Sequence, residues 1–192
     1  MIRRLYDWTI ALAETRNALW ALAIVAFLES SVFPIPPDVL MIPMILARPS
    51  RAFLIAGVAT LASVAGALLG YWIGFGLFET VGQPVLEFYG KGEDFSAFAD
   101  RYNAYGAWAV LIAGVTPFPF KVITIASGVT ALNIWVFVLS SIIARSLRFL
   151  LVAGLLWKFG DPIRNFIERR LNLVFIAFCV LLVSGFALVT YL

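Results

Sequence analysis

Between Arg51 and Glu79 the chain runs for 27 residues, Ala52 to Phe78, without a charged side chain. As a helix this run is about 40 Å long, more than the roughly 30 Å hydrocarbon thickness of a bilayer, so 52–78 reads as a tilted transmembrane helix. Gly66, Gly70 and Gly74 recur every four residues within it, which places them on one face and lets a neighbouring helix approach closely. A second uncharged stretch, 171–192, is long enough for a C-terminal transmembrane helix. Composition agrees: 62% of the 192 residues are hydrophobic, 13% are charged, and the mean hydropathy is +0.98. A soluble domain is about half apolar and a quarter charged, so the chain is predicted to be one membrane domain, with no room for a separate soluble catalytic unit.

Several chemistries are excluded early. There is no histidine and a single cysteine, Cys179, in an apolar run, which removes the usual ligands of zinc, haem and iron–sulfur centres and any internal disulfide. No metal, cofactor or catalytic residue is expected, and an enzyme is the least favoured class because no nucleophile–base arrangement or paired acids with ligand spacing occurs. The 14 basic and 11 acidic residues give a net charge of +3. These basic residues lie between apolar segments, where they set orientation rather than bind nucleic acid.

The remaining apolar regions are interrupted. Residues 18–47 contain Glu29, Asp38, Pro34, Pro36, Pro37 and Pro43, and residues 107–131 contain Pro117, Pro119 and Lys121. Proline removes a backbone donor, clashes with the preceding turn and biases the residue before it toward extended backbone, so the breaks fall at Pro34-Ile35-Pro36-Pro37 and Pro117-Phe118-Pro119. Irregular backbone at membrane depth survives only where protein or a water-filled cavity satisfies it, which predicts two re-entrant helical hairpins facing each other inside the protein. A proline-kinked ordinary span is the alternative.

Loop charge favours the hairpins. Arg3, Arg4 and Arg16, then Arg48 and Arg51, then Lys158, Arg164, Arg169 and Arg170 form three basic clusters, all predicted to be cytoplasmic. The connector between Glu79 and Arg101 carries Glu79, Glu87, Glu93, Asp94 and Asp100 against only Lys91 and Arg101, which suits the opposite side. A full crossing by 18–47 would put one of the first two clusters outside; a returning hairpin does not.

Pro34-Ile35-Pro36-Pro37-Asp38 aligns with Pro117-Phe118-Pro119-Phe120-Lys121 at an offset of 83, and Gly70–Gly76 aligns with Gly154–Gly160 at 84. Two units follow, and because each crosses the membrane an odd number of times the second is inverted, as in many secondary transporters. The predicted fold is an all-α integral membrane protein of two inverted repeats, each with a re-entrant hairpin, a transmembrane helix and an amphipathic segment. In chain order these are an interfacial helix over 2–16, hairpin 1 over 18–47, the helix over 52–78, an amphipathic connector over 79–106 closed by Gly106, hairpin 2 over 107–131, a helix over 132–157, an amphipathic segment over 161–170, and the extra C-terminal helix over 171–192.

The ionisable residues in apolar territory are the candidate site: Glu29, Asp38, Lys121, Arg145 and Arg148. Each costs at least about 2.5 kcal/mol at the bilayer centre, so each is expected to face a cavity or a partner. Asp38 and Lys121 occupy equivalent repeat positions after the breaks, where an ion pair or an anion pocket could form. Glu29 suits proton coupling, since desolvation favours the neutral, proton-bearing carboxyl. Arg145 and Arg148, three apart on one helical face, present guanidinium groups suited to phosphate. Simpler roles stand beside these: Asp38 as a helix cap, and Arg145 and Arg148 snorkelling to headgroups.

Glu29 followed by Phe33-Pro34-Ile35-Pro36-Pro37-Asp38, with Gly114-Val115-Thr116-Pro117-Phe118-Pro119-Phe120-Lys121 running on to Ala126-Ser127-Gly128, resembles the two hairpin motifs of the DedA family, also called the SNARE-associated or VTT-domain family, and most closely its short YqaA-type branch. The resemblance spans about residues 20 to 160. It implies a multi-pass protein of the bacterial inner membrane with a cytoplasmic N-terminus. It further implies lipid movement as a flippase or scramblase, with phospholipid or polyprenyl-phosphate headgroups as partners, protons as a coupling ion and a homo-oligomer as one possible assembly. By position, Glu29 and Asp38 match the family's membrane acids and serve as proton-coupling groups. Lys121 matches the second of two basic residues, and Val115 stands where the family carries the first. The substrate-binding set is then Lys121, Pro117 and Pro119 at the second hairpin tip, with Arg145 or Arg148 supplying the missing charge. A proton-coupled transporter of small ions or osmolytes, or a non-transporting scaffold, are the other functional readings.

Overall fold

The structure, a computed structural model, describes residues 17–32, 36–90, 92–116 and 118–169, with the side chains of 161 and 163–169 excepted. The expected helices over 2–16 and 171–192, and the tip residues Pro34 and Pro117, lie outside the described residues. All regular structure among the described residues is helical.

Helix α1 spans Ala18–Ser31 and α2 spans Asp38–Ala47. The chain leaves the helix after Ser31 and re-enters it at Pro37, whose φ of −64° is already helical; a proline costs nothing there because that N–H has no intrahelical partner. A short 3-10 turn, Pro49–Arg51, starts α3, Ala52–Leu77. A π turn over Phe78–Gly82 passes directly into α4, Gln83–Tyr89. Gly90 stops it with φ 63°, a left-handed conformation that a side chain would strain. Helix α5 spans Gly92–Val115 and α6 spans Phe120–Val129, separated by the second break, with Pro119 extended at ψ 105°. The last helix, α7, spans Ile134–Arg169 and starts on Asn133, whose side-chain oxygen accepts the backbone N–H groups of Trp135 and Val136. It bends at Phe159, where φ is −121°, three residues before Pro162.

Among the described residues, two helices, the run Pro49–Tyr89 and Ile134–Gly160, are long and apolar enough to cross a membrane. At 14, 10 and 10 residues, α1, α2 and α6 are only about 15–21 Å long, shorter than a hydrocarbon core. One expected boundary is corrected. Gly106 does not close the connector: α5 runs through it without a break, and a Cβ at Gly106 would stand 2.4 Å from Leu132 Cδ1. That glycine is used for close packing, not for helix termination, so the connector and the first arm of the second hairpin are one helix.

Helix α3 is central, with α1, α6 and α7 packed along it; α5 and α2 lie against α7. The glycine face predicted for α3 serves two neighbours. A Cβ at Gly66 would stand 2.1 Å from the Phe27 carbonyl oxygen of α1, and one at Gly74 would stand 2.2 Å from that of Ile125 on α6. The α6 seam is reciprocal, since a Cβ at Gly128 would meet the Tyr71 carbonyl oxygen at 2.0 Å. Backbone thus lies directly on backbone, which only small residues permit. Two apolar cores result. One joins Leu22, Met41, Ile45, Ile55 and Phe149 near the start of α3, and the other joins Ala67, Tyr71, Val110, Phe120 and Phe137 near its end. The second core is edged by polar contacts: Tyr71 donates to the Leu132 carbonyl at 2.7 Å, and Tyr102 and Ser127 share a hydrogen bond of 3.0 Å.

Candidate functional site

The two cores are separated by a layer of charged and hydroxyl side chains. Glu29, in the last turn of α1, is 9% exposed; Arg145, midway along α7, is 1% exposed. They were read separately from the sequence, yet the fold brings them together: Arg145 Nη2 donates to Glu29 Oε2 at 2.7 Å. The guanidinium carbon lies 4.9 Å from the Phe120 ring centroid and 4.6 Å from that of Phe149. One ring comes from each core, so the cation is held by a carboxylate and the faces of two aromatic rings. Arg145 therefore does not snorkel to headgroups. Arg145 Nε and Ser141 Oγ, one turn apart on α7, have no hydrogen-bond partner.

A second ion pair lies beside the first. Arg148 Nη2 donates to Asp38 Oδ2 at 2.7 Å, with both side chains 15% exposed. Asp38 is the first residue of α2 and makes no capping bond; its carboxylate is spent on Arg148. The other arm of Arg148, Nη1, donates to the Thr116 carbonyl just past the end of α5. One guanidinium thus ties the start of the second arm of the first hairpin to the end of the first arm of the second, using its fork of donors. Lys121 makes a similar crossing in the other direction, from α6 to the Val32 carbonyl at the end of α1, at 3.3 Å. The residues flanking the two breaks are joined through Arg148 and Lys121 onto carbonyls and not through an Asp38–Lys121 pair.

Hydroxyl groups that sequence reasoning passed over complete the layer. Ser30 Oγ donates to Glu29 Oε2 at 3.1 Å and shares a 2.7 Å hydrogen bond with Ser63 of α3. Thr124 Oγ1 of α6 lies 3.0 Å from the Ser30 carbonyl and 2.9 Å from that of Lys121. The available signal was periodicity: Ala59, Ser63, Gly66, Ala67 and Gly70 fall at three- and four-residue spacing on the buried face of α3. Pro36 and Pro37 lie at the first break and Pro119 at the second, where they set backbone direction. Among the described residues no group of histidine, cysteine and carboxylate side chains could hold a metal ion.

Comparison with known proteins gives the family. The VTT domain family matches residues 35–158. An uncharacterized protein of Haemophilus influenzae is 36% identical over 168 residues, covering 85% of this chain and 87% of its own length. An uncharacterized protein of Histophilus somni is 36% identical over 192 residues, covering 98% of this chain and 95% of its own. No solved structure matches. With a matched region that contains Pro36 and Pro37 of the first break, all of the second break, Lys121, Arg145 and Arg148, the chain belongs to the VTT-domain, or DedA, family.

Proposed function

We propose that this membrane protein moves phosphate-bearing lipid, phospholipid or polyprenyl phosphate, across the bacterial inner membrane, with protons as the coupling ion. The observation that carries the reading is the pair of ion bridges at the helix breaks. Charges in apolar surroundings are costly unless they act, and here two acids and two arginines on three helices are held in exchangeable pairs.

A lipid phosphate is an acceptor that can replace each present partner of the basic groups. Arg148 would turn from Asp38 and Lys121 from the Val32 carbonyl, while the acyl tails stay in the bilayer. Arg148 lies on the Thr116 carbonyl, next to Val115, so it supplies a guanidinium near the position where the family carries its first basic residue. Lys121 adds a point charge in place of a second fork. A proton on Glu29 would neutralise the counter-ion of Arg145 and leave that guanidinium seeking an anion. Proton uptake and headgroup capture are thereby linked through one side chain.

The packing supports an inverted repeat. The order helix, break, short helix, long helix occurs twice, as α1–α2–α3 and α5–α6–α7. Exchanging the units carries α1 on α3 to α5 on α7, and α6 on α3 to α2 on α7; both members of each pair occur. The short arms then serve as re-entrant hairpins, with Arg48 and Arg51 on the cytoplasmic side.

The test is transbilayer movement of fluorescent phospholipid and of a polyprenyl phosphate in proteoliposomes, with and without a pH gradient. Lys121→Ala and Arg148→Ala should slow movement of both lipids, and Arg148→Lys should restore less than half because it cannot bridge Asp38 and Thr116 together. Lipid movement that is absent from the wild type, or unchanged in both alanine variants, overturns the reading and leaves solute transport or a scaffold as the account.

A further inference from the structure

The geometry points to a proton relay of two serine hydroxyls, Ser63 and Ser30, that delivers a proton to Glu29. This inference rests on Glu29 being the proton-coupling group. Ser30 donates to Glu29 Oε2 at 3.1 Å, and the Ser30 and Ser63 oxygens are 2.7 Å apart. Since the single Ser30 proton is committed to the carboxylate, the hydrogen between the serines belongs to Ser63. The resting chain therefore points one way, Ser63 to Ser30 to Glu29. Both serines are fully buried, so no bulk water competes for these bonds.

Hydroxyls are suited to this position because each is both donor and acceptor. When a proton is delivered, the Ser63 O–H bond breaks as its proton forms a bond to Ser30, the Ser30 O–H bond breaks as its proton forms a bond to Glu29 Oε2, and Ser63 takes a replacement from water. One proton has moved from water to the carboxyl, and both serines are chemically unchanged. Afterwards the polarity reverses: Glu29 donates to Ser30 and Ser30 to Ser63, whose own proton turns to the helix carbonyl one turn back, a bond serines readily make. Thr60, three residues before Ser63 on the buried face of α3, already makes that bond to the Ala56 carbonyl at 2.9 Å. Thr60, at 8% exposed against 0% for Ser63, is where water would meet this hydroxyl-bearing face.

The charged neighbours leave this as the route of access. On α7, Arg145 donates to the same Glu29 oxygen as Ser30, and Arg148 holds Asp38 of α2; on α6, Lys121 is on the Val32 carbonyl. None of the three cations can pass a proton to a carboxylate in normal working conditions without becoming an unpaired neutral base. Helix α3 carries no charged residue, and its Tyr71 hydroxyl is engaged by the Leu132 carbonyl. Ser63 is the α3 side chain that reaches the Ser30–Glu29 pair.

Two readouts test the relay. In proteoliposomes, Ser63→Ala and Ser30→Ala should each cut gradient-driven lipid movement about tenfold, the scale of one lost hydrogen bond. Ser63→Thr, which keeps the hydroxyl, should restore the driven rate, an outcome that a merely structural role would not give. In detergent-solubilised protein acidified until the protonated-carboxyl infrared stretch that disappears in Glu29→Gln is seen, that band should move toward the position of a free carboxylic acid in Ser30→Ala. An unmoved band, or a driven rate unchanged in both alanine variants, overturns the relay. If the wild type moves no lipid at all, the lipid reading falls, and the infrared band alone decides whether the hydroxyl chain serves Glu29.

Discussion

Cutting the Glu29–Arg145 pair from one side should be far more damaging than removing it whole. In Glu29→Leu the guanidinium of Arg145, 1% exposed, loses its counter-ion, and breaking a buried pair in this way costs about 3–5 kcal/mol. The faces of Phe120 and Phe149 keep holding the cation in the variant, so the cost is expected at the lower end, about 3 kcal/mol. Arg145→Met should cost somewhat less, about 2 kcal/mol, because Ser30 still donates to the remaining carboxylate. The double variant Glu29→Leu/Arg145→Met places apolar side chains of similar volume between two apolar cores and should lie within about 1 kcal/mol of wild type. The coupling is then about 4–6 kcal/mol. The same cycle on Asp38 and Arg148, whose side chains are 15% exposed, should give about 1 kcal/mol because solvent screens the pair. Reversible unfolding by steric trapping in bicelles gives the four free energies of each cycle. If the Glu29 and Arg145 substitutions add within about 0.5 kcal/mol, as independent sites do, the pair does not act as a unit and the argument fails.

Two further outcomes follow from packing and charge. Gly128→Ala puts a methyl group 2.0 Å from the Tyr71 carbonyl oxygen and should destabilise by about 1–3 kcal/mol or more, while Gly57→Ala, with open space around its Cβ, should be neutral or slightly stabilising in the same unfolding assay. For orientation, Ser50→Cys and Ser96→Cys, both exposed, are introduced in a Cys179→Ala background. A membrane-impermeant thiol reagent should label position 96 in intact cells and position 50 only after lysis, and labelling of both from one side would exclude the inverted arrangement.

The sequence made some features legible and hid others for identifiable reasons. Both helix breaks fall where proline chemistry places them, because the restriction is local and no tertiary contact can restore the missing donor. The glycine face of α3 was readable for the same reason: four-residue spacing fixes a face whatever packs on it. What that face meets was not readable, and it proved to be two helices, α1 at Gly66 and α6 at Gly74. Charged residues announced themselves by their cost, but their pairing did not. Glu29 and Arg145 are 116 positions apart, and the choice between Arg145 and Arg148 as its partner depends on the crossing of α1 with α7, which no spacing encodes. Ser63 was invisible because a serine in an apolar helix satisfies itself on its own backbone and carries no signal of a remote acid. Gly106 misled because a glycine after a polar helical run resembles a terminator; its actual use, against Leu132, is tertiary.

The seam between α3 and α6 has backbone lying on backbone at Gly74 and Gly128, and that has a mechanical consequence. Backbone pressed on backbone at Gly74 and Gly128 has no rotamers to adjust and little compressible volume, so α3 and α6 move as one rigid body. Compliance must then reside across the opposite seam, where α2 meets α7 through Met41, Met44 and Ile45 against Phe149 and Leu156. Methionine tolerates repacking, and the Asp38–Arg148 bridge there is the more exposed of the two. If the polar layer is exposed to the two membrane faces in turn, the motion expected from this packing is α2 sliding on α7 while the α3–α6 seam stays locked.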